Sequence, residues 1–128
     1  SLHEGSGGAG EHRGGFGVNY RIRLRRGEAR VSMVMEHGRA GPPGAQGGGA
    51  GGTNKVEVIR DGVVYVPPHL SKDQDIAIRA GDVIAVSTPG GGGFGPAGER
   101  RPEARSRDVA LGYYSQAESE RAFGAAGP

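Results

Sequence analysis

The chain has 128 residues, a length that suits a single domain, and it combines 27 glycines with no cysteine, which excludes disulfide frameworks and thiolate metal sites. Sixteen basic against fourteen acidic residues leave a formal net charge of +2, too small to indicate nucleic acid or a membrane as the partner. No apolar run approaches the roughly 18 residues needed to cross a bilayer, and we expect a cytoplasmic protein. The glycines cluster between stretches of alternating apolar residues, which predicts a folded core with long glycine loops.

Two segments of alternating polarity predict the first strands. Apolar and polar residues alternate across 18–24 and again across 29–35, on either side of a turn predicted at 25–28. We therefore expect the two segments to pair as an antiparallel hairpin. Its exposed face would carry a basic stripe formed by Arg21, Arg23 and Arg30.

A second hairpin is predicted by the dipeptide Asp61-Gly62, which lies between two apolar segments. Both central residues of a two-residue hairpin turn need positive φ, and Asp-Gly is among the sequences that favour it. The turn would pair Ile59 with Val64. Apolar residues fall on both faces of this hairpin, so we expect it to be covered on each side.

Strands and then helices are predicted for the last part of the chain. Strand segments are expected at 76–78 and 83–86, and a proline suited to a first helical position predicts a short helix over 102–111. A capping box predicts a second short helix from 115 to 123. The predicted fold class is mainly β, a small antiparallel β-sandwich or barrel with long glycine loops and a short helical tail at 100–128.

Three glycine-rich loops, at 6–17, 38–52 and 90–95, separate these elements. Glycine costs backbone entropy and offers no side chain to pack, so such runs indicate backbone that adopts unusual dihedral angles or approaches another group closely. We interpret the loops as places where neighbouring polypeptide packs against bare backbone. Because the chain begins at Ser1 and its first residues offer little for a core, we expect a fragment of a longer polypeptide.

Candidate chemistry lies beside these loops. The predicted anion or substrate site combines backbone amides with two guanidinium groups, since both favour phosphate-like charge. Its members are Arg13, Arg39, Gly90, Gly91, Gly92 and Gly93. The four histidines stand far apart and no serine lies in a nucleophile motif, so we assign neither a metal site nor a catalytic residue. His12 and His37, which lie close to the two arginines, are the local candidates for chemistry.

Seven motifs follow one another along the chain at 5–10, 13–17, 41–44, 47–54, 81–82, 88–95 and 108–113. Together, and in this order, they resemble the carboxyl-terminal region of hydantoinase B/oxoprolinase proteins. That family includes one subunit of N-methylhydantoinases, one half of 5-oxoprolinase and the alpha subunit of acetone-type carboxylases.

The resemblance implies that residues 1–128 form a single carboxyl-terminal β domain of a longer subunit. The intact enzyme would be an ATP-dependent hydrolase of N-methylhydantoinase or 5-oxoprolinase type, which opens a cyclic amide after phosphorylation of the amide oxygen. ATP and a divalent metal would be bound outside this segment, which would hold no cofactor of its own. Its partners would be the upstream part of the same subunit and a hydantoinase A-type subunit, with no nucleic acid and no membrane.

The segment itself is expected to serve structure and subunit contacts and to be inactive alone, and whether it contributes to the chemistry stays open at this point. A domain of an acetone-type carboxylase alpha subunit is an alternative with the same glycine motifs. A glycine-rich RNA-binding module is another, because the segment 13–17 resembles arginine-glycine-rich RNA-binding sequences, although the unit occurs only once.

Overall fold

The computed structural model describes residues 1–124, which form seven strands, a short 3-10 helix and two α-helices. The strands are β1 (Leu2–His3), β2 (Gly17–Arg23), β3 (Glu28–Val34), β4 (Lys55–Arg60), β5 (Val63–Tyr65), β6 (Lys72–Arg79) and β7 (Val83–Ser87). The helices are the 3-10 turn Ala97–Glu99, α1 (Pro102–Ala110) and α2 (Gln116–Phe123). The mainly β fold class is confirmed.

The strands form two antiparallel sheets that face each other. The larger sheet has the order β1-β2-β7-β4-β5, and the smaller one pairs β3 with β6. The core between them is formed by Met33, Val56, Val58, Ile78, Ile84 and Val86. The arrangement is an open sandwich, and within residues 1–124 no sheet closes into a barrel.

The hairpin predicted for the first two long strands is wrong. β2 pairs with β7, which places Tyr20 opposite Val86, and β3 pairs with β6. The chain instead crosses from one sheet to the other, and the two crossing segments bond to each other through Leu24 N–H to Asp82 O at 3.0 Å and Gly81 N–H to Leu24 O at 2.8 Å. A ribbon of β2 and β3 alone would leave all its apolar residues in water, whereas the facing sheets bury Met33 of β3 in the core.

The hairpin at Asp61 and Gly62 is confirmed. Ile59 lies opposite Val64 as predicted, and the turn residues have φ of 50° and 78°. The prediction that the hairpin is covered on both sides is wrong, because β5 is an edge strand and all its residues are exposed.

Both predicted helices are present with the predicted ends. α1 has Pro102 in its first turn and is followed by Gly112 with φ of 73°. α2 begins with the capping box, in which Ser115 Oγ accepts from Glu118 N–H at 3.2 Å and the Glu118 carboxylate accepts from Ser115 N–H at 2.8 Å. The last four residues of the tail predicted for 100–128 lie outside the described residues.

The three glycine loops pack against one another. We call segments 6–17, 41–52 and 90–95 the glycine core. Each segment bonds to both others through backbone groups: Gly8 N–H donates to Gly91 O at 2.8 Å, and Gly49 N–H donates to Ala9 O at 2.7 Å. Gly93 N–H in turn donates to Gly49 O at 2.9 Å. The neighbouring polypeptide inferred from the glycine content therefore includes the other two loops of the same chain.

Close approach explains why these positions carry glycine. A β-carbon on Gly90 would lie 1.9 Å from Ser6 O, and one on Gly92 would lie 2.0 Å from Pro43 O. Backbone atoms cannot move aside as the end of a side chain can, so a larger residue would push whole segments apart. The glycine core is thus a second packed region, held by backbone rather than by apolar side chains.

Candidate functional site

The glycines of the predicted anion site lie inside the glycine core. The amides of Gly91 and Gly93 donate to Gly15 O and Gly49 O, each at 2.9 Å. A backbone anion nest requires successive amides that point to a common centre. Two of the four predicted amides are thus engaged by carbonyl groups of the same chain.

Arg13 belongs to a buried cluster of charges. Its Nε donates to Asp108 Oδ2 at 3.1 Å, and the same oxygen accepts from Arg100 Nη2 at 2.8 Å. The side chains of Arg13, Arg100 and Asp108 are 17%, 11% and 6% exposed. The Arg13 guanidinium also lies 4.9 Å from the Phe16 ring centroid and 4.8 Å from that of Tyr113. These contacts fix α1 to the glycine core, because Asp108 is in the helix and Arg13 is in the first glycine segment.

A cavity of about 550 Å³ lies beside this cluster and is also lined by Arg101 and Arg107. Nearby, the hydroxyl of Tyr114 is buried and has no hydrogen-bond partner among residues 1–124, and burial raises the pKa of Tyr114. The arginine-glycine segment 13–17 is thus part of a packed region. In this it differs from the repetitive, solvated arginine-glycine-rich segments that bind RNA.

Arg39 lies in a different cavity, so the structure does not bring it together with Arg13. This cavity of about 630 Å³ is lined by residues 35–40 and 69–72, and we call it the histidine cavity because His37 and His69 both belong to it. Arg39 is exposed and makes no side-chain hydrogen bond or ion pair within residues 1–124.

The two walls of the histidine cavity are joined by strand pairing. β3 and β6 place Val34 opposite Lys72, so the residues just beyond β3 lie beside those just before β6. Met35 N–H donates to Ser71 O at 3.1 Å, and Ser71 Oγ donates to Met35 O at 3.0 Å. Lys72 Nζ donates to Glu36 Oε1 at 2.7 Å, and this bond holds the pKa of Glu36 below its ordinary value.

Each wall contains one non-glycine residue with unusual backbone. His37 has φ of 67° and Leu70 has φ of 62°, the left-handed region that non-glycine residues rarely occupy. Asn54 holds the first wall in place, since its N–H donates to His37 O at 3.0 Å and its Nδ2 donates to Glu36 O. Asn54 Oδ1 is buried and has no partner within residues 1–124.

Sequence reasoning missed Asn54, His69 and Lys72 as members of this site. No spacing rule links 36–39 with 69–72, because only the pairing of β3 with β6 brings them together. The one local signal is Asn54 itself, a polar residue directly before β4.

An uncovered apolar surface lies on the larger sheet. Tyr20 and Ile22 lie opposite Val86 and Ile84, so all four share the face that forms the core. Val86 and Ile84 are buried beneath the smaller sheet, whereas Tyr20 and Ile22 are 43% and 54% exposed. With Leu2 and Val18, which pair at the edge of the same sheet, they form what we call the open face.

The described residues contain neither a candidate metal site nor a membrane-spanning helix. Within 1–124, no group of three or more histidine, cysteine, aspartate or glutamate side chains is placed to hold a metal ion. Neither helix in that range has the length and apolar character that crossing a bilayer requires.

Comparison with known proteins identifies the family. The family model described as "Hydantoinase B/oxoprolinase" matches residues 1–97. An uncharacterized protein of Methanocaldococcus jannaschii is 36% identical over 100 residues, which are 78% of this chain and 17% of that protein. 5-oxoprolinase 1 of Arabidopsis thaliana is 35% identical over 96 residues, which are 73% of this chain and 7% of that protein. The chain thus spans only a small part of the curated relatives that it matches.

Solved structures show the same fold. ATP-dependent caprolactamase from Pseudomonas jessenii matches with a TM-score of 0.78 and 23% identity, over 100% of this chain and 22% of that one. Nucleotide-free acetone carboxylase matches with a TM-score of 0.66 and 18% identity, over 97% of this chain and 20% of that one. The resemblance carried by the ordered glycine motifs is confirmed, and the chain belongs to the hydantoinase B/oxoprolinase family.

Proposed function

We propose that the chain is the carboxyl-terminal structural and contact domain of a longer subunit, in an ATP-dependent enzyme that opens a cyclic amide. Two similarities support this reaction class. Relatives about one third identical are 5-oxoprolinases, and the fold is that of a caprolactamase described as ATP-dependent. Both substrates named there are lactams, that is, cyclic amides.

The exposed apolar side chains of the open face are the observation that supports the contact role. Apolar side chains on the core face of a sheet gain free energy when they are covered, at roughly 25 cal/mol per Å² of apolar surface removed from water. In this chain the smaller sheet covers the centre of that face and leaves Tyr20 and Ile22 partly exposed. We assign the rest of the same longer subunit as the occupant, since the matched region makes up only 17% and 7% of the two relatives.

The chemistry belongs elsewhere in the intact enzyme under this proposal. The residues present do not fit a metal ion, because no suitable group of ligands lies within 1–124. We therefore assign the divalent metal to the preceding part of the subunit and ATP to a hydantoinase A-type partner. The domain contributes the packed glycine core and the surface on which the remainder assembles.

The test compares the 128-residue chain with the longer subunit that carries it, each mixed with the hydantoinase A-type partner. ATP consumption and product formation are measured with 5-oxoproline, hydantoin and caprolactam, and with acetone plus bicarbonate. We expect ring opening by the longer subunit and none by the short chain. Turnover of a cyclic amide by the short chain would contradict the contact role, and carboxylation of acetone without ring opening would contradict the reaction class.

A further inference from the structure

We infer that the free edge of β5 is a site of strand addition, where a short apolar strand from the remainder of the longer subunit pairs with Val64 and extends the larger sheet. This edge is a surface separate from the open face. The inference rests on the proposed function in one respect, namely that a longer subunit carries this chain.

β5 has backbone groups that point away from the rest of its sheet. It is the last strand of the larger sheet, and of the strands in residues 1–124 only β4 pairs with it. In a two-residue turn with positive φ, the flanking pair, here Arg60 and Val63, exchanges both hydrogen bonds. The N–H and C=O of the next residue, Val64, therefore point away from β4. Neither Val64 nor Val66 bonds through its backbone to a loop or turn of the described chain.

The side chains along this edge are apolar and unprotected. Val63, Val64, Tyr65 and Val66 are consecutive and are 71%, 50%, 44% and 47% exposed. Native sheets protect a free edge with charges, with proline or with a covering segment, and this run contains neither a charge nor a proline. β3 and β6 also have free edges, but each of them contains both acidic and basic residues. β5 thus has the character of an edge that is covered in the intact protein.

The neighbouring side chains define the chemistry of the added strand. Val64 lies opposite Ile59, which in turn lies opposite Val83, so an apolar row crosses the outer face of the larger sheet and ends at β5. Val63 and Tyr65 belong to the other face, because successive residues of a strand alternate. The added strand would meet apolar side chains on both faces. We therefore expect it to be rich in β-branched and aromatic residues on both of its faces.

The edge is held in place without its partner. The Asp61-Gly62 turn fixes the start of β5 against β4. Tyr65 Oη donates to Asp73 Oδ2 at 3.0 Å, which ties β5 to the first residues of β6. Pro67, directly after the apolar run, is fully buried. A strand that is already ordered loses little conformational entropy on pairing, which favours strand addition.

The size of the edge selects its occupant. Stable interfaces between separate proteins involve roughly 20–30 residues a side, far more than the run 63–66 offers. A second copy of the chain paired through β5 alone would therefore not stay bound. A segment of the same polypeptide pairs at a high effective concentration and needs no such area. The matched region makes up only 17% and 7% of two relatives, so a longer subunit has ample sequence to supply the strand.

The experiment measures amide hydrogen exchange in the 128-residue chain and in the longer subunit. In the short chain the Val64 N–H should exchange at least about tenfold faster than the N–H groups of Val63 and Tyr65, which face β4. In the longer subunit all three should be protected. A Val64 N–H that exchanges equally fast in both proteins would overturn the proposal. Protection that appears only after addition of the hydantoinase A-type partner would assign the edge to that partner and overturn it as well.

Val64→Glu is the decisive variant, because it places a charge on the edge. Val64 is half exposed, so the short chain should tolerate the change, whereas the longer subunit should lose protection at 63–66 and have a lower thermal midpoint. Val34→Glu, at an 83% exposed valine of β3, is the matched control and should leave both proteins unchanged. Equal effects of the two substitutions in the longer subunit would refute the site. Dimerisation of the short chain that Val64→Glu abolishes, seen by analytical ultracentrifugation, would assign the edge to a second copy instead.

The same measurements distinguish failure of this inference from failure of the proposed function. A longer subunit that opens a cyclic amide but leaves the Val64 N–H unprotected would keep the proposed function and exclude the added strand. A longer subunit that protects the Val64 N–H but carboxylates acetone without ring opening would keep the added strand and exclude the proposed reaction class.

Discussion

A β-carbon on Gly14 would lie 1.9 Å from the carbonyl oxygen of Gly91, so these two glycines hold the first and third segments of the glycine core at a distance that no side chain permits. Gly15, the next residue, has no atom within 4 Å of its own β-carbon position. Substitutions at Gly14 and Gly15 can therefore distinguish the effect of close backbone packing from the effect of replacing a glycine.

We predict that Gly14→Ala destabilises the chain strongly, by about 1–3 kcal/mol or more, because the methyl group must push one backbone segment away from another. Gly15→Ala should change the free energy of unfolding by less than about 1 kcal/mol, and stabilisation is the expected direction since alanine restricts the unfolded chain. Urea denaturation followed by circular dichroism measures both. Equal effects of the two substitutions would show that the glycine core is not packed as described.

Acid should lower the free energy of unfolding, because it protonates Asp82. This carboxylate is buried at the crossing between β6 and β7, and it accepts from Arg60 Nε at 3.0 Å and from the Arg79 N–H at 2.9 Å. These bonds lower the pKa of Asp82 from 3.8 to about 2. The unfolded chain therefore takes up a proton first, and the stabilisation is complete above pH 3.8 and is lost as the pH falls towards about 2.

Asp82→Asn should remove that part of the acid dependence and lower stability at neutral pH. The measurement is the urea midpoint at about pH 5.5, above the ordinary pKa of 3.8, and at about pH 2.5, between the two pKa values, where much of the stabilisation is lost. Asp61→Asn is the control, since Asp61 is 79% exposed and pairs only with the exposed Arg79 side chain. If the urea midpoint of Asp82→Asn changes between the two pH values as much as that of the parent chain, other groups account for the acid sensitivity.

Local signals in the sequence predicted local structure well. The Asp61-Gly62 turn, the proline at the start of α1 and the capping box at Ser115 each act within a few residues, and each element is present. Pairing between distant strands was not predictable in this way. The Val18 N–H donates to the hydroxyl oxygen of Thr88 at 2.8 Å, although the two residues are 70 positions apart. Both β2 and β3 alternate in polarity, so periodicity alone cannot choose their partners.

In the candidate sites, too, local features were predictable from the sequence and long-range contacts were not. Glycine-rich sequence indicated close approach of backbone, but not which segments approach each other. Arg13 and Arg39 looked equivalent beside glycine loops, and the fold gives them different surroundings: a shared buried carboxylate for Arg13 and an open cavity for Arg39. The difference depends on α1 and β6, both remote in sequence from the arginine that they surround.

Removal of Asp108 should release α1. Its carboxylate is the shared acceptor of Arg13 and Arg100, so Asp108→Ala leaves two poorly exposed guanidinium groups without their counter-ion. Loss of one partner of a buried ion pair typically costs about 3–5 kcal/mol. We expect a loss in this range and faster amide hydrogen exchange across 102–110. Glu103→Ala in the same helix is the control, and equal exchange in both variants would refute the anchoring role of Asp108.

The open face should behave differently in the short chain and in the longer subunit proposed to cover it. Ile22 is 54% exposed, so Ile22→Ser removes only part of the roughly 1.5–3 kcal/mol that full burial of such a side chain provides, and the short chain should lose about 1 kcal/mol or less. In the longer subunit the same substitution introduces a hydroxyl into a buried contact and should cost clearly more, measured as the shift in thermal midpoint and as loss of ATP-dependent turnover. Arg21→Ser, on the opposite face of the same strand, is the matched control and should be close to neutral in both proteins. If Ile22→Ser is equally mild in the longer subunit, the open face is not where the remainder of that subunit packs.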